Sequence, residues 1–471
     1  MAKNHAMTVL MPITLTVILG GFLFGYDTAV ISGTVASLKS FFVDPYLMDE
    51  TAANSFKGFV VSSALLGCVL GGILGGWFSN RFGRKQGLII SAVLFLLSAL
   101  GSAMPELPDQ AVGSGDHLRV YWFMFYRILG GVGIGMASML SPLYIAEIAP
   151  AERRGQLVSL NQFAIVVGIV FVYFVNYEIS GRGDETWLNS VGWRWMFGSE
   201  AIPALIFLVA LFFIPDTPRS LILRGKEAEA IKVLNKINGP EEASVVLGEI
   251  KESLNERSGR LLSYGALVIV VGVALAIIQQ CVGINAVLYY APEIFKSMGG
   301  STDSAMLQTV VVGGVNLVFT VLAIFTVDRY GRKFLMVFGG GGMAISMLGL
   351  GLAFYCSWSW LATLLFMLSY VACFAMSWGP VTWVLLAEIF PNKIRSAAMA
   401  ISVAAMWIAN QVVSWTFPIM NENSWLVDQF NHGFTYWVYG FVSLLGVLFV
   451  WRFIPETKGK KLEDMEQLWR R

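Results

Sequence analysis

Twelve apolar stretches, each long enough to cross a lipid bilayer, constrain the fold of this 471-residue chain. A spanning helix needs about 20 apolar residues, and inside the bilayer its backbone polar groups must be satisfied within the segment. Only 13% of the residues are charged, whereas soluble domains have about 25%. The sequence therefore predicts an all-α membrane protein. The stretches lie near residues 9–36, 56–80, 86–104, 120–146, 156–178, 193–214, 263–295, 304–327, 334–355, 361–387, 396–420 and 433–454.

A charged segment divides these spans into two sets of six. Its apolar residues recur at spacings of three and four, which predicts short amphipathic helices at the membrane surface. We therefore expect a six-helix half over residues 1–215, a linker over 216–260, a second half over 261–457 and a tail helix over 458–471.

Three motifs occur twice in the chain, at offsets of 240 to 248 residues. Three matches at nearly half the chain length indicate two homologous halves, with a substrate site near the midplane between them. The pairs are RFGRK from Arg81 with RYGRK from Arg329, AEIAPAERRG from Ala146 with AEIFPNKIRS from Ala387, and PDTPR from Pro215 with PETKG from Pro455.

Basic residues collect in the short loops after spans 2, 4, 8 and 10. Because such residues favour the cytoplasmic side, both termini should be cytoplasmic. Glu147 and Glu388 stand beside these basic residues at matching places in the two halves. Opposite charges there can form interlocking pairs, although simple anchoring of the spans would also place basic residues at these loops. The basic residues are Arg81, Arg84, Lys85, Arg153, Arg154, Arg329, Arg332, Lys333, Lys393 and Arg395.

Asp27 is the single ionisable side chain between Thr8 and Leu38. A carboxylate near the bilayer centre costs about 2.5 to 3.5 kcal/mol, so such a residue usually faces a bundle interior or a water-filled path. Arg127, the single basic residue of span 4, is a natural partner because it keeps its proton. Protonation of Asp27 would break the pair, which predicts a proton-coupling role. Glu200 in span 6 is assigned a supporting role, and the alternative is that the pair only joins two helices.

Amide side chains in the spans suit a sugar, because each sugar hydroxyl both donates and accepts. Aromatic rings would cover the apolar face of the sugar ring. Each residue taken alone could instead join helices or anchor an interface. Gly283 and Pro292 mark places where span 7 can break. The candidates are Gln162, Gln279, Gln280, Asn285, Asn316, Trp383 and Trp407.

Several other classes of protein lack support in the sequence. The three histidines are scattered over the tail and loops, and neither an H-E-x-x-H nor a G-x-x-x-x-G-K-[ST] motif occurs. Acidic and basic residues nearly cancel, which gives no sign of nucleic-acid binding. We therefore expect a protein that is not an enzyme, needs no cofactor or metal, and has a small molecule, a proton and the bilayer as its partners. The sequence does not show the oligomeric state, and we expect a monomer.

At its repeated motifs the chain resembles the sugar porters of the major facilitator superfamily. The signatures are G-R-[RK] after spans 2 and 8, P-[ED]-[ST]-P-R after span 6 and P-E-T-K-G after span 12. The runs LFGYDTAVISGTV from Leu23, NQFAI from Asn161, QQCVGINAVLYYAPE from Gln279 and SWTFP from Ser414 resemble its xylose-transporting members. The resemblance implies alternating access in a bacterial cytoplasmic membrane, with a proton imported beside a monosaccharide, D-xylose first and D-glucose second.

The resemblance also implies roles for individual residues. Gln162, Gln279, Gln280, Asn285 and Trp383 would hold the sugar, and Phe24 and Trp407 would line its cavity. Tyr289 and Tyr290, in the breakable part of span 7, are assigned to an outer gate. A cytoplasmic gate would consist of Arg84, Glu147, Arg154, Arg332, Glu388 and Arg395, whose pairs part when the cytoplasmic side opens.

Two positions depart from the pattern of the xylose-transporting members. Ile169 and Met406 stand where those members carry glutamine, and glucose-facilitating relatives also have isoleucine at the first position. Each lost hydrogen bond could cost about 1 kcal/mol or leave room for a hydroxymethyl group. The choice between a pentose and a hexose therefore stays open, as do the alternatives of a facilitative uniporter and a non-transporting sugar sensor.

Overall fold

The computed structural model describes residues 2–107, 117–150, 154–255, 264–391 and 394–458. Within these ranges the chain is helical without strands, and twelve helices or helix pairs are long and apolar enough to span a membrane. The predicted fold class is thus confirmed. Spans 1–6 are Ala2–Val30, Glu50–Phe82, Arg84–Ala103, Val120–Ile148, Arg154–Ser180, and Trp193–Ser199 with Ala201–Phe212. Spans 7–12 are Ala266–Cys281 with Ile284–Tyr289, Thr302–Tyr330, Arg332–Tyr355, Trp360–Met376 with Trp378–Ile389, Arg395–Asn421, and Gly433–Phe453.

The segment between the two sets of spans forms three helices, Pro218–Leu223, Glu227–Asn238 and Pro240–Asn255. In the second of them Ala230, Leu234 and Ile237 are buried, and their spacing places them on one helix face. The opposite face carries charged residues, as expected for a helix that lies on a surface. The predicted tail helix over 458–471 lies outside the described residues except for Lys458.

A carboxylate near the end of the second set caps the start of span 9. Glu456 accepts hydrogen bonds from the backbone N–H groups of Arg332 and Lys333, each at 3.0 Å. Gly331, just before them, has a φ of +91°, and a Cβ there would lie 2.7 Å from Glu456 Oε2. The junction therefore requires glycine at position 331, and the negative charge of Glu456 stabilises the N-terminus of the helix.

The first set repeats this junction at the start of span 3. Asp216 accepts a hydrogen bond from the backbone N–H of Lys85 at 3.3 Å. Gly83 has a φ of +104°, and a Cβ there would lie 2.1 Å from Asp216 Oδ2. Two of the three repeated motifs thus meet in space, because the acid of the P-[DE]-T motif caps the helix that follows the glycine of the R-x-G-R-K motif.

The two sets contact one another at the face opposite Arg84 and Arg332. We call the face with these arginines the basic face, and the other the far face. Near the far face spans 2 and 11 approach closely, since a Cβ on Gly58 would lie 2.2 Å from the carbonyl oxygen of Trp415. Deeper in the protein Gln411 donates to Ser62 over 2.7 Å. These contacts close the far face between the two sets.

Candidate functional site

The two intramembrane charges singled out in spans 1 and 4 form a buried ion pair. The side chain of Arg127 donates to the carboxylate of Asp27 through one nitrogen and to the Asp27 backbone carbonyl, at 3.1 Å, through another. Both residues are at most 1% exposed. The Arg127 guanidinium also lies over the ring of Phe197 in span 6, 5.1 Å from its centroid. One arginine therefore joins spans 1, 4 and 6 around a carboxylate.

Glu200 lies close enough to Asp27 and Arg127 to interact with both electrostatically. It is fully buried, and neither of its oxygens accepts a hydrogen bond from the part of the chain that the structure describes. The residues just before the two acids are linked, because the Tyr26 hydroxyl and the Ser199 hydroxyl hydrogen-bond over 2.7 Å. Spans 1, 4 and 6 thus bring two carboxyl groups and one guanidinium into one buried cluster.

The amides of span 7 form a continuous chain of hydrogen bonds. Gln280 donates to Gln279 over 2.6 Å, and Asn285 donates to Gln280 over 2.7 Å. The two glutamines are 4% and 5% exposed, and Asn285 is half-buried. These groups satisfy one another in this state, and each can exchange an internal hydrogen bond for one to a sugar hydroxyl.

Span 7 breaks between Gln280 and Asn285, as the sequence predicted. Gly283 has a φ of +92° and precedes the short helix Ile284–Tyr289. The Tyr370 hydroxyl of span 10 donates to the carbonyl of Val282 over 2.8 Å, so the broken backbone keeps a partner. The break brings Gln280 and Asn285, which an unbroken helix would not place directly over one another, within hydrogen-bonding distance.

Tyr289 and Tyr290 follow this break and are both buried. The Tyr289 side chain is 4% exposed and lies close to Asn410 of span 11. The Tyr290 hydroxyl donates to the carbonyl of Ser414 over 3.1 Å, and its ring stacks on Phe417 with centroids 4.8 Å apart. Tyr290 therefore fastens the second part of span 7 to span 11.

Phe24 of the first set and Trp407 of the second form an aromatic contact. Their ring centroids lie 5.6 Å apart, and Trp407 Nε1 is buried without a hydrogen-bond partner among the described residues. Met406 beside it is 2% exposed, and Ile169 is 9% exposed. Of the other candidates, Asn316 is buried, whereas Gln162 and Trp383 are half-buried.

On the basic face the ion pairs that the structure describes each stay within one set. Arg84 pairs with Glu147 at 2.9 Å, and Thr217 donates to the same carboxylate over 2.5 Å. In the second set Arg332 pairs with Glu388 at 3.0 Å. Thr457 donates to that carboxylate over 2.5 Å.

The predicted gate also includes Arg395 and Arg154. Arg395 donates to the carbonyl of Phe390 over 3.2 Å. The side chain of Arg154 lies outside the described residues.

Sequence reasoning missed several polar side chains of this region. Tyr26 and Ser199 were hidden because single hydroxyl residues occur throughout the spans, and a hydroxyl inside a helix often bonds its own backbone. Lys57 was missed as well, although it is 2% exposed. The available signal was its position seven residues after Glu50 in a 33-residue helix, which places a charged side chain inside span 2 and not at its end.

Comparison with known proteins settles the family. Residues 13–469 match the family described as sugar (and other) transporter. The chain belongs to this family. The D-xylose-proton symporter of Escherichia coli K12 is 57% identical, over 100% of this chain and 97% of the symporter. The glucose facilitated diffusion protein of Zymomonas mobilis is 41% identical, over 100% of this chain and 99% of that protein.

A solved structure gives the same family. The inward-open conformation of the E. coli xylose transporter XylE matches with a TM-score of 0.89 and 54% identity, covering 98% of this chain and 100% of that one. The resemblance to sugar porters is therefore confirmed, and so is the fold of this multi-pass sugar transporter.

Proposed function

We propose that this sugar transporter is a proton-coupled monosaccharide importer of a bacterial cytoplasmic membrane. In this proposal the basic face and both termini are cytoplasmic, as the positive-inside rule favours. The protein acts as a monomer, and the proton is its coupling ion. Residues 1–215 and 261–457 form two halves that alternate around a central sugar site, with 216–260 as the linker.

The observation that carries this proposal is the buried pair of Asp27 and Arg127, at most 1% exposed. Arg127 keeps its proton, so the proton that moves belongs to Asp27. When Asp27 takes up a proton the ion pair is lost, and the contact between spans 1 and 4 weakens. Glu200, which interacts electrostatically with both, supports this step. Proton entry and helix movement then become one event.

The sugar is held in this proposal by the amides of span 7 and by groups that face them from other spans. Gln279, Gln280 and Asn285 provide donors and acceptors, and Trp407 Nε1 offers a buried donor without a described partner. Phe24 and Trp407 cover the apolar face of the ring. Gln162 and Trp383, both half-buried, complete the contacts, and Asn316 is a further candidate.

D-xylose is the first substrate we propose, because the 57% identical relative is a D-xylose-proton symporter. D-glucose is the second, because the buried Ile169 and Met406 replace amides and because a 41% identical relative is a glucose facilitated diffusion protein. If one proton accompanies each sugar, 100 mV of membrane potential contributes about 2.3 kcal/mol, or nearly fiftyfold accumulation.

The gates follow from the same scheme. The far face, which we propose to be the outer one, is closed in this state, and Tyr289 and Tyr290 help to close it. On the cytoplasmic side Arg84 pairs with Glu147 within one set and Arg332 pairs with Glu388 within the other, so neither pair joins the two sets in this state. When the protein faces outward, these charges would instead form pairs between the two sets. Arg154 and Arg395 belong to this second gate in our proposal.

Reconstituted protein tests the function directly. Proteoliposomes receive xylose or glucose, and proton uptake and labelled-sugar flux are followed for the wild type, Asp27→Asn and Glu106→Gln. Glu106 is the matched control, because it is a buried acid paired with Arg194 at the far end of the first set. We expect one sugar to drive proton uptake in the wild type and Glu106→Gln, while Asp27→Asn only exchanges sugar.

Two results would replace the proposal. If labelled sugar equilibrates in the wild type and Asp27→Asn without proton movement, the protein is a uniporter and the ion pair is structural. If sugar binds and no flux occurs, the sugar-sensor alternative replaces both.

A further inference from the structure

A buried lysine joins the two sets of spans near the far face. Lys57 of span 2 pairs with Glu293, which follows span 7, at 2.9 Å and with Glu422, at the end of span 11, at 2.5 Å. Its side chain is 3% exposed, whereas those of the two acids are 21% and 28% exposed. Both partners belong to the opposite set, so the cluster exists only while the two sets are in contact.

The surroundings of Lys57 are also contacts between the sets. Asn54, almost one helical turn earlier, donates to the carbonyl of Glu422 over 3.4 Å. Trp415 donates through its indole nitrogen to the carbonyl of Ser55 over 3.0 Å. Lys57 is therefore buried within the surface where spans 2 and 11 meet.

The burial of Lys57 makes the cluster sensitive to the state of the protein. An ammonium group that leaves water needs charged partners, and the two carboxylates supply them only when the far face is closed. When the sets part at this face, Lys57 returns to water and both acids lose their cation. The pair of Lys39 and Asp44 differs, because it joins residues of one set and its side chains are 37% and 50% exposed.

We propose that Lys57, Glu293 and Glu422 form an ionic latch that sets the balance between the two access states by holding the far face closed. The latch rests on the alternating access in the proposed function, and neither the identity of the sugar nor proton coupling enters it. A cluster that only stabilises the fold would leave this balance unchanged when its charges are altered.

The test measures the opening of the far face by the distance between two spin labels. Leu47 in the first set and Trp425 in the second are exposed, at 91% and 63%, and are replaced by labelled cysteines in a background without the four native cysteines. Double electron–electron resonance in reconstituted membranes then gives the populations of short and long distances between the two labels. This measurement needs neither sugar flux nor proton movement, so its failure is distinct from a failure of the proposed transport function.

Four variants make the test specific. Lys57→Met removes the charge, Glu422→Gln removes one partner, Lys57→Glu reverses the charge, and Lys57→Glu with Glu422→Lys restores one cation between two acids. We expect Lys57→Met to raise the ratio of long to short distances at least threefold, Glu422→Gln to raise it less, and the exchanged pair to return it to within twofold of wild type. The control Lys39→Met should leave the ratio unchanged.

The latch is overturned if Lys57→Met gives the same ratio of long to short distances as the wild type and the Lys39→Met control. It is also overturned if the exchanged pair opens as far as Lys57→Glu alone. If Lys57→Glu fails to fold in detergent, the ratios of Lys57→Met and Glu422→Gln decide the question, because both substitutions keep the approximate size of the side chain.

Discussion

Arg127 binds Asp27 at two places, donating both to its carboxylate and, over 3.1 Å, to its backbone carbonyl. In the proposed coupling step, protonation of the carboxylate would weaken the first contact and leave the second, so span 1 would keep one hydrogen bond to span 4. The arginine would therefore remain oriented while the charge of its partner changes, as our proposal requires of a group that re-forms the pair in every transport cycle.

The first prediction concerns the balance of charge in this pair. Arg127→Met leaves a buried carboxylate without its cation, which costs about 3 to 5 kcal/mol when one partner of a buried pair is removed. The double variant Asp27→Asn with Arg127→Met should recover most of that loss. Thermal unfolding in detergent of the wild type, both single variants and the double variant gives the coupling free energy. Additive losses would mean that the two side chains do not stabilise one another.

The second prediction concerns Ile169 and Met406, the two apolar residues that we assign to the proposed sugar site. Ile169→Gln and Met406→Gln should each raise the preference for xylose over glucose by about fivefold, since one hydrogen bond contributes about 1 kcal/mol. Competition between labelled xylose and unlabelled glucose measures the preference. Ile179→Gln is the matched control, because Ile179 lies in the same helix and is equally buried, at 9% exposed. An equal shift in the control would remove Ile169 from the site.

The third prediction separates the closure of the far face from the packing within one set. A Cβ on Gly58 would lie 2.2 Å from the carbonyl of Trp415 in the other set, and one on Gly71 would lie 2.2 Å from the carbonyl of Val132 in the same set. Gly58→Ala should therefore open the far face, as seen in the spin-label distances, whereas Gly71→Ala should lower the thermal stability at an unchanged distance. The same effect of both substitutions on the distance would contradict this assignment.

The fourth prediction uses the pH dependence of Glu456. Burial alone would raise the pKa of this carboxyl. The four backbone N–H groups that donate to it have the larger combined effect in the opposite direction, so the pKa lies below its ordinary value of 4.5. A lowered pKa gives stability that is present above pH 4.5 and is lost as the pH falls through the lowered value. Glu456→Gln should lower the melting temperature by about 2 to 4 °C at pH 7.

The melting-temperature difference between wild type and Glu456→Gln should then shrink below pH 4.5. Thermal unfolding in detergent over this range measures it. A difference that stays constant down to the lowest pH would show that the carboxylate charge does not stabilise the junction.

Part of the site was predictable because charges and amides are rare in membrane spans. Asp27 and Arg127 stand alone among apolar residues, and their cost in lipid already predicts that they meet. Gly283 likewise marked the break in span 7, since a helix rarely keeps a regular backbone where glycine adopts a positive φ. In these cases the sequence contains both the unusual residue and the reason for it.

Lys57 could not be predicted in the same way. A lysine less than three turns from a helix end normally extends its ammonium group to the membrane surface. Its partners Glu293 and Glu422 are 236 and 365 residues away, so only the packing of one set on the other brings them together. The ion pairs of the basic face could not be predicted for a similar reason. The motifs contain the charged residues, but they do not determine which arginine binds which glutamate.

The caps at Gly83 and Gly331 have a mechanical consequence. In each set a carboxylate that follows the sixth helix, Asp216 or Glu456, grips the first turn of the third. The third to sixth helices of each set are thereby joined into a closed ring, and a force on the sixth helix is passed directly to the third. In the proposed alternating access we expect each ring to tilt as one stiff piece, which leaves the bending of each turnover to the broken helix at Gly283 and to the segment that joins the two rings.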